Sequence, residues 1–538
     1  MKKIIHLLLF TLFFSINYSF SQPKLVVGIV VDQMRYEYLE RFKKKFGSDG
    51  FKRLMKEGFS CENANYNYVP TVTAAGHASI YTGTTPSVHG IINNKWMDRM
   101  LKKNVYCVGD KTVQTVGSEN ASGEMSPKFL LTSTIADELQ NAKKNNSKII
   151  GIALKDRAAI LPVGKYPTGA YWYDGLSGNW ITSTYYMRTL PTWVLNYNKK
   201  EYPKKFLSQS WVPSFVLAKY TESDPDNNDA EDLFNGKAKP VFPYDLSLLM
   251  KDNEGLGLIC TTPFGNTLTK DFAIEAIKNE NMGIDTVTDF LSISFSSTDY
   301  IGHQFGPHSI EIEDCYIKLD NDIADLLKFL DATVGKQQYL VFLTADHGAA
   351  DAVNYSKKMK VPCGVVKEKI LADSLKKYCK RTYRDSLLLS AGDFFVYLNR
   401  EKIAAKKLVL EDVQKKVANY LLTQNGIIDA VTEKEIQQNS IQDSIRSKVK
   451  LGFNPDRSAD VIYTLKPNWL LDKDKGTSHG SPYNYDTHVP LIFFGWRVKK
   501  GVLVENVKII DIASTICSML DLVNPSGNTG IPIQVPLK

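Results

Sequence analysis

Apolar runs rich in β-branched residues recur along this 538-residue chain, and each stops at charged or imidazole side chains. Residues 24–31 end at Asp32 and residues 148–154 at Lys155 and Arg157, and residues 288–296, a strand with serines among its apolar positions, end just before Asp299 and His303. Residues 337–344 end at Asp346 and His347, and a Gly/Ser loop carrying His479 precedes a last run at 488–494. A run that is apolar at every position is the pattern of a strand covered on both faces. Segments with helical spacing, such as 36–56, lie between the runs. Strand alternating with helix predicts an α/β fold with a mostly parallel central sheet flanked by helices. Such sheets bind ligands beyond the C-terminal ends of their strands, so five polar strand ends would meet on one edge. Each end taken singly has a plainer reading: Asp32 as the cap of the next helix, Lys155 and Arg157 as a solvated edge.

A stretch between the first two runs, residues 68–82, reads as a loop turning into a helix. Pro70 disfavours helix before it, and Ala74, Ala75 and Ala78 favour helix after it. Thr71 and Thr73 stand at the junction, where unpaired backbone N–H groups and the positive end of the helix dipole collect. The same position suits a helix cap and an oxygen nucleophile. The local residues leave both readings open and do not choose between the two threonines.

Outside these features the chain has ordinary globular composition. Lys2 and Lys3 followed by an apolar stretch and Ser19-Phe20-Ser21 predict a secretory leader over residues 1–21. The rest, 22–538, reads as a single domain, exported to the periplasm or secreted, with no membrane anchor. The formal charge of +8 falls to +6 without Lys2 and Lys3, and its basic runs lack the interleaved aromatics of a nucleic-acid surface. Seven cysteines are too few for a disulfide scaffold, although Cys363 and Cys379 are placed for a local pair. Two insertions are expected. Residues 160–285 are rich in Trp and Tyr without periodicity and read as a cap; the acidic run 224–232 within them reads as a solvent-facing loop. Residues 350–457 read as mostly helical, with surface helices at 410–422 and 433–449 and a return to strand at 458–464.

Taken together, Val31-Asp-Gln, Pro70-Thr-Val-Thr-Ala-Ala-Gly-His, Ile92-Asn-Asn, Lys155-Asp-Arg, Asp299-Tyr-Ile-Gly-His, Thr344-Ala-Asp-His-Gly and Ser478-His-Gly-Ser resemble the alkaline phosphatase superfamily. The likeness is strongest to its phosphodiesterase-related branch and, within it, to the phosphate-irrepressible alkaline phosphatases. It spans the chain from Val26 to about Trp496. The resemblance implies two Zn²⁺ ions, one held by Asp299, His303 and His479, the other by Asp32, Asp346 and His347 with the Thr73 oxygen. It implies that Thr73 rather than Thr71 is the nucleophile, forming a phosphothreonine that water then hydrolyses. Asn94, Lys155 and Arg157 match the groups that bind the non-bridging phosphoryl oxygens. Their chemistry agrees, since a Lys and an Arg offset the two charges of a phosphate monoester, whereas a diester carries one. Small phosphate monoesters are therefore the expected substrates, with a two-zinc phosphodiesterase or nucleotide pyrophosphatase as the nearest alternative. A non-catalytic metal- or phosphate-binding protein is the alternative of another class. His77 is expected to be structural, and His89, His308 and His488 have no matched role. His488 competes with His479 as a ligand but begins a core strand.

Overall fold

The computed structural model describes residues 22–438 and 444–538, so the expected leader lies outside the described residues. Among them an eleven-stranded sheet forms the centre of the molecule. Its principal strands are β1 (Leu25–Val31), β2 (Phe59–Asn65), β3 (Ile149–Ala153), β4 (Gly169–Asp174), β5 (Asn179–Ser183), β6 (Asp289–Phe295), β7 (Tyr339–Thr344) and β8 (His488–Gly495). The middle of the sheet runs β7-β1-β6-β3-β4, with every pairing parallel. The flanks are mixed, because β8 lies antiparallel between β7 and β2, and β5 is antiparallel to β4. Strands β1, β3, β6 and β7 are buried at every position, which is why β1, β3 and β7 read as apolar runs; β6 is buried although Asp289, Ser292 and Ser294 interrupt its apolar residues. Val31 pairs with Phe295 and Val30 with Thr344, so β1, β6 and β7 end level with one another. That alignment places Asp32, the segment after Phe295 and Asp346 side by side.

Four helices position the polar residues at this edge. Helix α1 (Thr73–Thr82) is buried along its whole length, and α2 (Asp156–Val163) follows β3 directly. Helix α3 (Ser297–Phe305) follows β6, and α4 (Ile310–Leu330) packs behind it. Gly76 lets α1 sit against the end of β7, since a Cβ there would stand 2.2 Å from the Asp346 carbonyl oxygen. No helix among the described residues is long and apolar enough to cross a membrane.

Several local expectations need correction. The 36–56 segment is two short helices, Tyr38–Arg41 and Phe51–Glu57; the turn between them is held by Asp320, whose carboxylate accepts from Gly47 and Phe51. The expected aromatic cap begins as part of the body, because β4 and β5 belong to the central sheet and Trp172 and Trp180 are buried in its core. The acidic run at 224–232 is not simply solvent-facing, for Asn228 and Glu231 are buried. The second inserted segment is not helix alone. It holds a four-stranded antiparallel sheet of Leu388–Gly392, Phe395–Leu398, Ile427–Thr432 and Val461–Leu465, with its own hydrophobic core under Glu368–Tyr383 and Leu410–Leu422. The expected strand at 458–464 therefore joins this sheet, not the central one. Residues 433–449 give two helices, Glu433–Gln437 and Ser444–Gly452, with 439–443 outside the described residues. All seven cysteines are free, so Cys363 and Cys379 do not pair.

His89, in the short helix after α1, carries a pH consequence. Its Nδ1 accepts from the Ile91 N–H at 3.1 Å, which leaves Nε2 to donate to the Ser79 hydroxyl at 2.9 Å. Burial, with Arg457 nearby, pulls its pKa down to about 3. In the unfolded chain an imidazole titrates near ~6.5. The unfolded state therefore binds the extra proton first, and stability falls as pH drops through the interval between those values. Between pH 7 and pH 5 this group should cost about 2 kcal/mol. Urea unfolding of the wild type should show that loss on acidification, and His89→Asn should flatten it by that amount.

Candidate active site

Each of the five polar strand ends contributes to one site at the C-terminal edge of the parallel strands. Asp32 follows β1, Asp346 and His347 follow β7, and Asp299 and His303 lie one turn apart on α3 after β6. His479 comes from the loop before β8 and stacks on His347, ring centroids 3.6 Å apart. Two groups of metal-ligand type result: Asp32, Asp346 and His347 in one, Asp299, His347 and His479 in the other. His347 is thus common to both. His303 reaches Asp299 from the half-buried side, its Nε2 at 3.2 Å from Oδ1.

The histidines are prepared for cations. Nδ1 of His303 contacts the Thr477 carbonyl at 2.8 Å, Nδ1 of His347 the Gly348 carbonyl at 2.9 Å, and Nδ1 of His479 the Thr71 carbonyl at 2.8 Å. A carbonyl only accepts, so each ring carries a proton on Nδ1, and in His347 and His479 the Nε2 lone pair turns inward. Those lone pairs face carboxylates: His347 Nε2 lies 3.6 Å from Asp32 Oδ1 and 3.7 Å from Asp346 Oδ2, and His479 Nε2 lies 3.7 Å from Asp299 Oδ1. Burial keeps His347 and His479 below the usual imidazole range, and so neutral. Asp32 Oδ1, Asp346 Oδ2 and His347 Nε2 are buried without a hydrogen-bond partner. Lone pairs aimed at one another in a dry site are unfavourable unless a cation lies between them. The donor set of carboxylates and imidazoles fits Zn²⁺.

Lys155 supplies the only side-chain ammonium that bridges the two groups among the described residues, with Nζ at 2.7 Å from Asp32 Oδ2 and 2.5 Å from Asp299 Oδ2. The carboxylates do not respond alike. Burial, with Asp346 beside it, pushes Asp32 well above the ordinary carboxylate range despite Lys155. For Asp299 burial is outweighed by His303 and Lys155, which hold it well below that range. Arg157 does not converge on the same point as Lys155: its Nη1 donates to the Tyr106 hydroxyl at 3.0 Å. Both side chains nevertheless line one open cleft of about 580 Å³, together with Tyr300, Trp172, Tyr173 and Tyr106.

The backbone around Thr73 is fixed from three sides. His479 holds the Thr71 carbonyl, the His77 Nδ1 lies 2.9 Å from the Thr73 carbonyl, and the Asn94 carboxamide oxygen accepts the Ala74 N–H at 3.0 Å. Asn94 therefore caps the helix that begins at Thr73. The Thr71 hydroxyl is already committed, donating to the Ser481 carbonyl at 3.1 Å.

Two residues do more than the sequence suggests. Gln33, at a positive φ of 64°, donates its side-chain amide to Asp299 at 2.6 Å and its backbone N–H to Asp346 at 3.1 Å, tying both groups together. It can do so because Gly302 has no Cβ; one there would fall 2.0 Å from the Gln33 amide oxygen. Its position directly after Asp32, in Val31-Asp-Gln, is the one signal of this role in the sequence. His77 is more than packing, since its Nδ1 also lies 3.3 Å from Asp346 Oδ2 and its Nε2 lies 3.0 Å from the Ser294 hydroxyl. The remaining histidines sit elsewhere: His308 on Asp351 at 3.0 Å, and His488 stacked on Tyr36 with Nε2 on the Glu62 carbonyl.

Residues 26–489 match the family model described as type I phosphodiesterase / nucleotide pyrophosphatase. The chain is 45% identical to alkaline phosphatase PafA of Elizabethkingia meningoseptica, over 95% of this chain and 94% of that one. A protein of Myroides odoratus named a calcium-transporting ATPase is also 45% identical, over 96% and 94%. Alkaline phosphatase PhoV of Synechococcus elongatus is 42% identical, over 96% and 94%. The crystal structure of wild-type PafA superimposes with a TM-score of 0.93, at 44% identity over 96% of this chain and 99% of that one. A family model spanning most of the chain, and relatives this similar over nearly their whole length, make the protein a member of the type I phosphodiesterase / nucleotide pyrophosphatase family, within the alkaline phosphatase superfamily.

Proposed function

We propose that this protein is a zinc-dependent alkaline phosphatase that hydrolyses phosphate monoesters through a phosphothreonine at Thr73. The observation that carries the reading is the junction of two metal-ligand groups, the α1 N-terminus and a cleft lined by Lys155 and Arg157. Relatives named alkaline phosphatases support it, and cleavage of a phosphoryl group is common to them and to the relative named an ATPase.

Asp32, Asp346 and His347 would hold one Zn²⁺ and Asp299, His303 and His479 the other, with His347 close to both groups. Two such ions would lower the pKa of the Thr73 hydroxyl and take up the charge that develops on the leaving oxygen. The chain's own residues do the rest. Asn94, His77 and His479 fix the backbone on either side of Thr73, so its oxygen is aimed before substrate arrives. The N-terminal end of α1, the positive end of its dipole, would face the transferring phosphoryl group. Lys155 and Arg157 offset the two charges of a monoester dianion. The leaving group would lie toward the Trp172 and Tyr173 side of the cleft, where an aromatic or apolar alcohol finds matching surface. Water then displaces Thr73 from phosphorus and releases inorganic phosphate.

A phosphodiesterase would use the same metal groups, and rates on matched substrates separate the two. The purified protein should cleave an aryl monophosphate faster than the matching bis-aryl phosphate, contain two zinc ions per chain, and lose turnover on chelation until zinc is returned. A faster diester reaction would reverse the assignment. Metal counts on His479→Ala and His488→Ala proteins should show a loss in the first only.

A further inference from the structure

Away from the active site, two buried glutamates have no ion-pair partner among the described residues, although Asp224 in the loop beside them pairs with Lys358 at 3.3 Å. Glu231 is 1% exposed and Glu311 is fully buried, yet neither oxygen of Glu231 has a hydrogen-bond partner, and Glu311 Oε2 has none either. The other Glu311 oxygen accepts from the Tyr244 hydroxyl. Protonation relieves this only in part, because a neutral Glu231 carboxyl could give its O–H to Glu311 Oε2, while its carbonyl oxygen would stay buried without a donor. Lys237, whose ammonium lies over the Tyr244 ring, is committed to the Val241 and Pro243 carbonyls at 2.8 and 3.1 Å. Beside the pair runs a turn with oxygen side chains at alternate positions, Asp224, Asp226 and Asn228, closed by Asn228 Nδ2 donating to Asp224 at 2.8 Å.

We propose that Glu231 and Glu311, with the Asp224–Asn228 turn beside them, hold a hard divalent cation of the calcium type. Among the groups gathered there, carboxylate, amide and backbone oxygens are the donors, and no imidazole or thiolate takes part, which selects calcium or magnesium over zinc. Burial, with Glu311, Asp226 and Asp224 adding, pushes Glu231 up to about 11, the response expected of a ligand without its cation. The location gives the ion a job. Glu311 lies in the first turn of α4, just after α3 with Asp299 and His303. The same loop receives the Gly476 N–H on the Ala230 carbonyl at 2.8 Å and gives the Asp232 N–H to the Gln304 carbonyl at 2.9 Å. A cation at Glu231 and Glu311 would brace both the helix and the loop that present His303 and His479.

Calcium binding to the zinc-loaded enzyme, freed of calcium on a chelating resin, tests this. Isothermal titration with CaCl₂ should show one tight site per chain, and the thermal midpoint should rise on addition. Terbium should replace calcium and luminesce through Tyr244 and Trp211, whose rings lie 5.4 Å apart. Glu231→Gln and Glu311→Gln should each weaken binding by ~10-fold or more and remove the rise in midpoint. In calcium-free buffer Glu231→Gln should be at least as stable as the wild type, because the amide keeps the neutral state that burial already favours there. A wild type that takes up no calcium at millimolar concentration overturns the proposal, and so do variants that bind calcium and respond to it as the wild type does. If neither variant folds, the wild-type stoichiometry decides alone.

Discussion

Replacing Thr73 with alanine should lower monoester turnover on the order of 10⁴-fold or more, with both zinc ions still bound. The size follows from the role: without the oxygen no covalent intermediate forms, and only positioning and electrostatic stabilisation of direct water attack remain. Metal binding should survive, since Thr73 is at most one ligand beside a full set of carboxylates and imidazoles. Thr73→Ser keeps the oxygen and should stay within ~10-fold, with acid-quenched enzyme carrying phosphoserine in place of phosphothreonine. Thr71→Ala is the control. It removes only the hydrogen bond to the Ser481 carbonyl, a loss of about 1 kcal/mol in stability with little change in rate. Mass spectrometry of the quenched enzyme and a steady-state rate for each variant are sufficient. Full turnover by Thr73→Ala would sink the assignment and return attention to Thr71.

What could be read from sequence tracks burial. Strands covered on both faces are mostly apolar, so β1, β3 and β7 stood out, and Asp32, Lys155 and Asp346 marked where each apolar run ended; β6 is equally buried although it carries Asp289, Ser292 and Ser294. The second sheet was missed because its strands are four to six residues long and lie among charged helices. That leaves too little alternation to compete with the helical pattern around it. Residues acting through backbone geometry were also hidden. Gln33 joins the two metal groups only because its φ is positive and Gly302 makes room, and neither fact shows in residue type. The direction of Lys155 was hidden for another reason: it depends on Asp32 and Asp299, which arrive from two other strands. Glu231 looked like part of a solvated acidic loop because composition does not reveal that α4 covers one side of it.

Removing Lys155 should expose two functions at once. Each charged contact to a phosphoryl oxygen in a dry site contributes roughly 10²–10³ in rate, so Lys155→Ala and Arg157→Ala should both slow monoester hydrolysis by that order. A diester carries one charge fewer, so its rate should fall less, and the monoester-to-diester ratio should drop in both variants. Only Lys155→Ala should also change the protein without metal. Its ammonium is 3% exposed and neutralises Asp32 and Asp299 together, so its loss leaves two buried carboxylates facing neutral imidazoles. Breaking a buried pair in this way costs about 3–5 kcal/mol. The metal-free variant should therefore unfold at distinctly lower temperature than metal-free wild type, and zinc should restore most of the difference. Zinc affinity itself should not fall, because the positive charge removed is one that repels the incoming ion. Arg157→Ala, whose guanidinium rests on Tyr106, should leave the metal-free protein nearly unchanged on this measure. If the two variants instead lost equal stability without metal, or kept the wild-type substrate ratio, Lys155 would be a structural ion pair and the cleft would not be reading the charge of the phosphate.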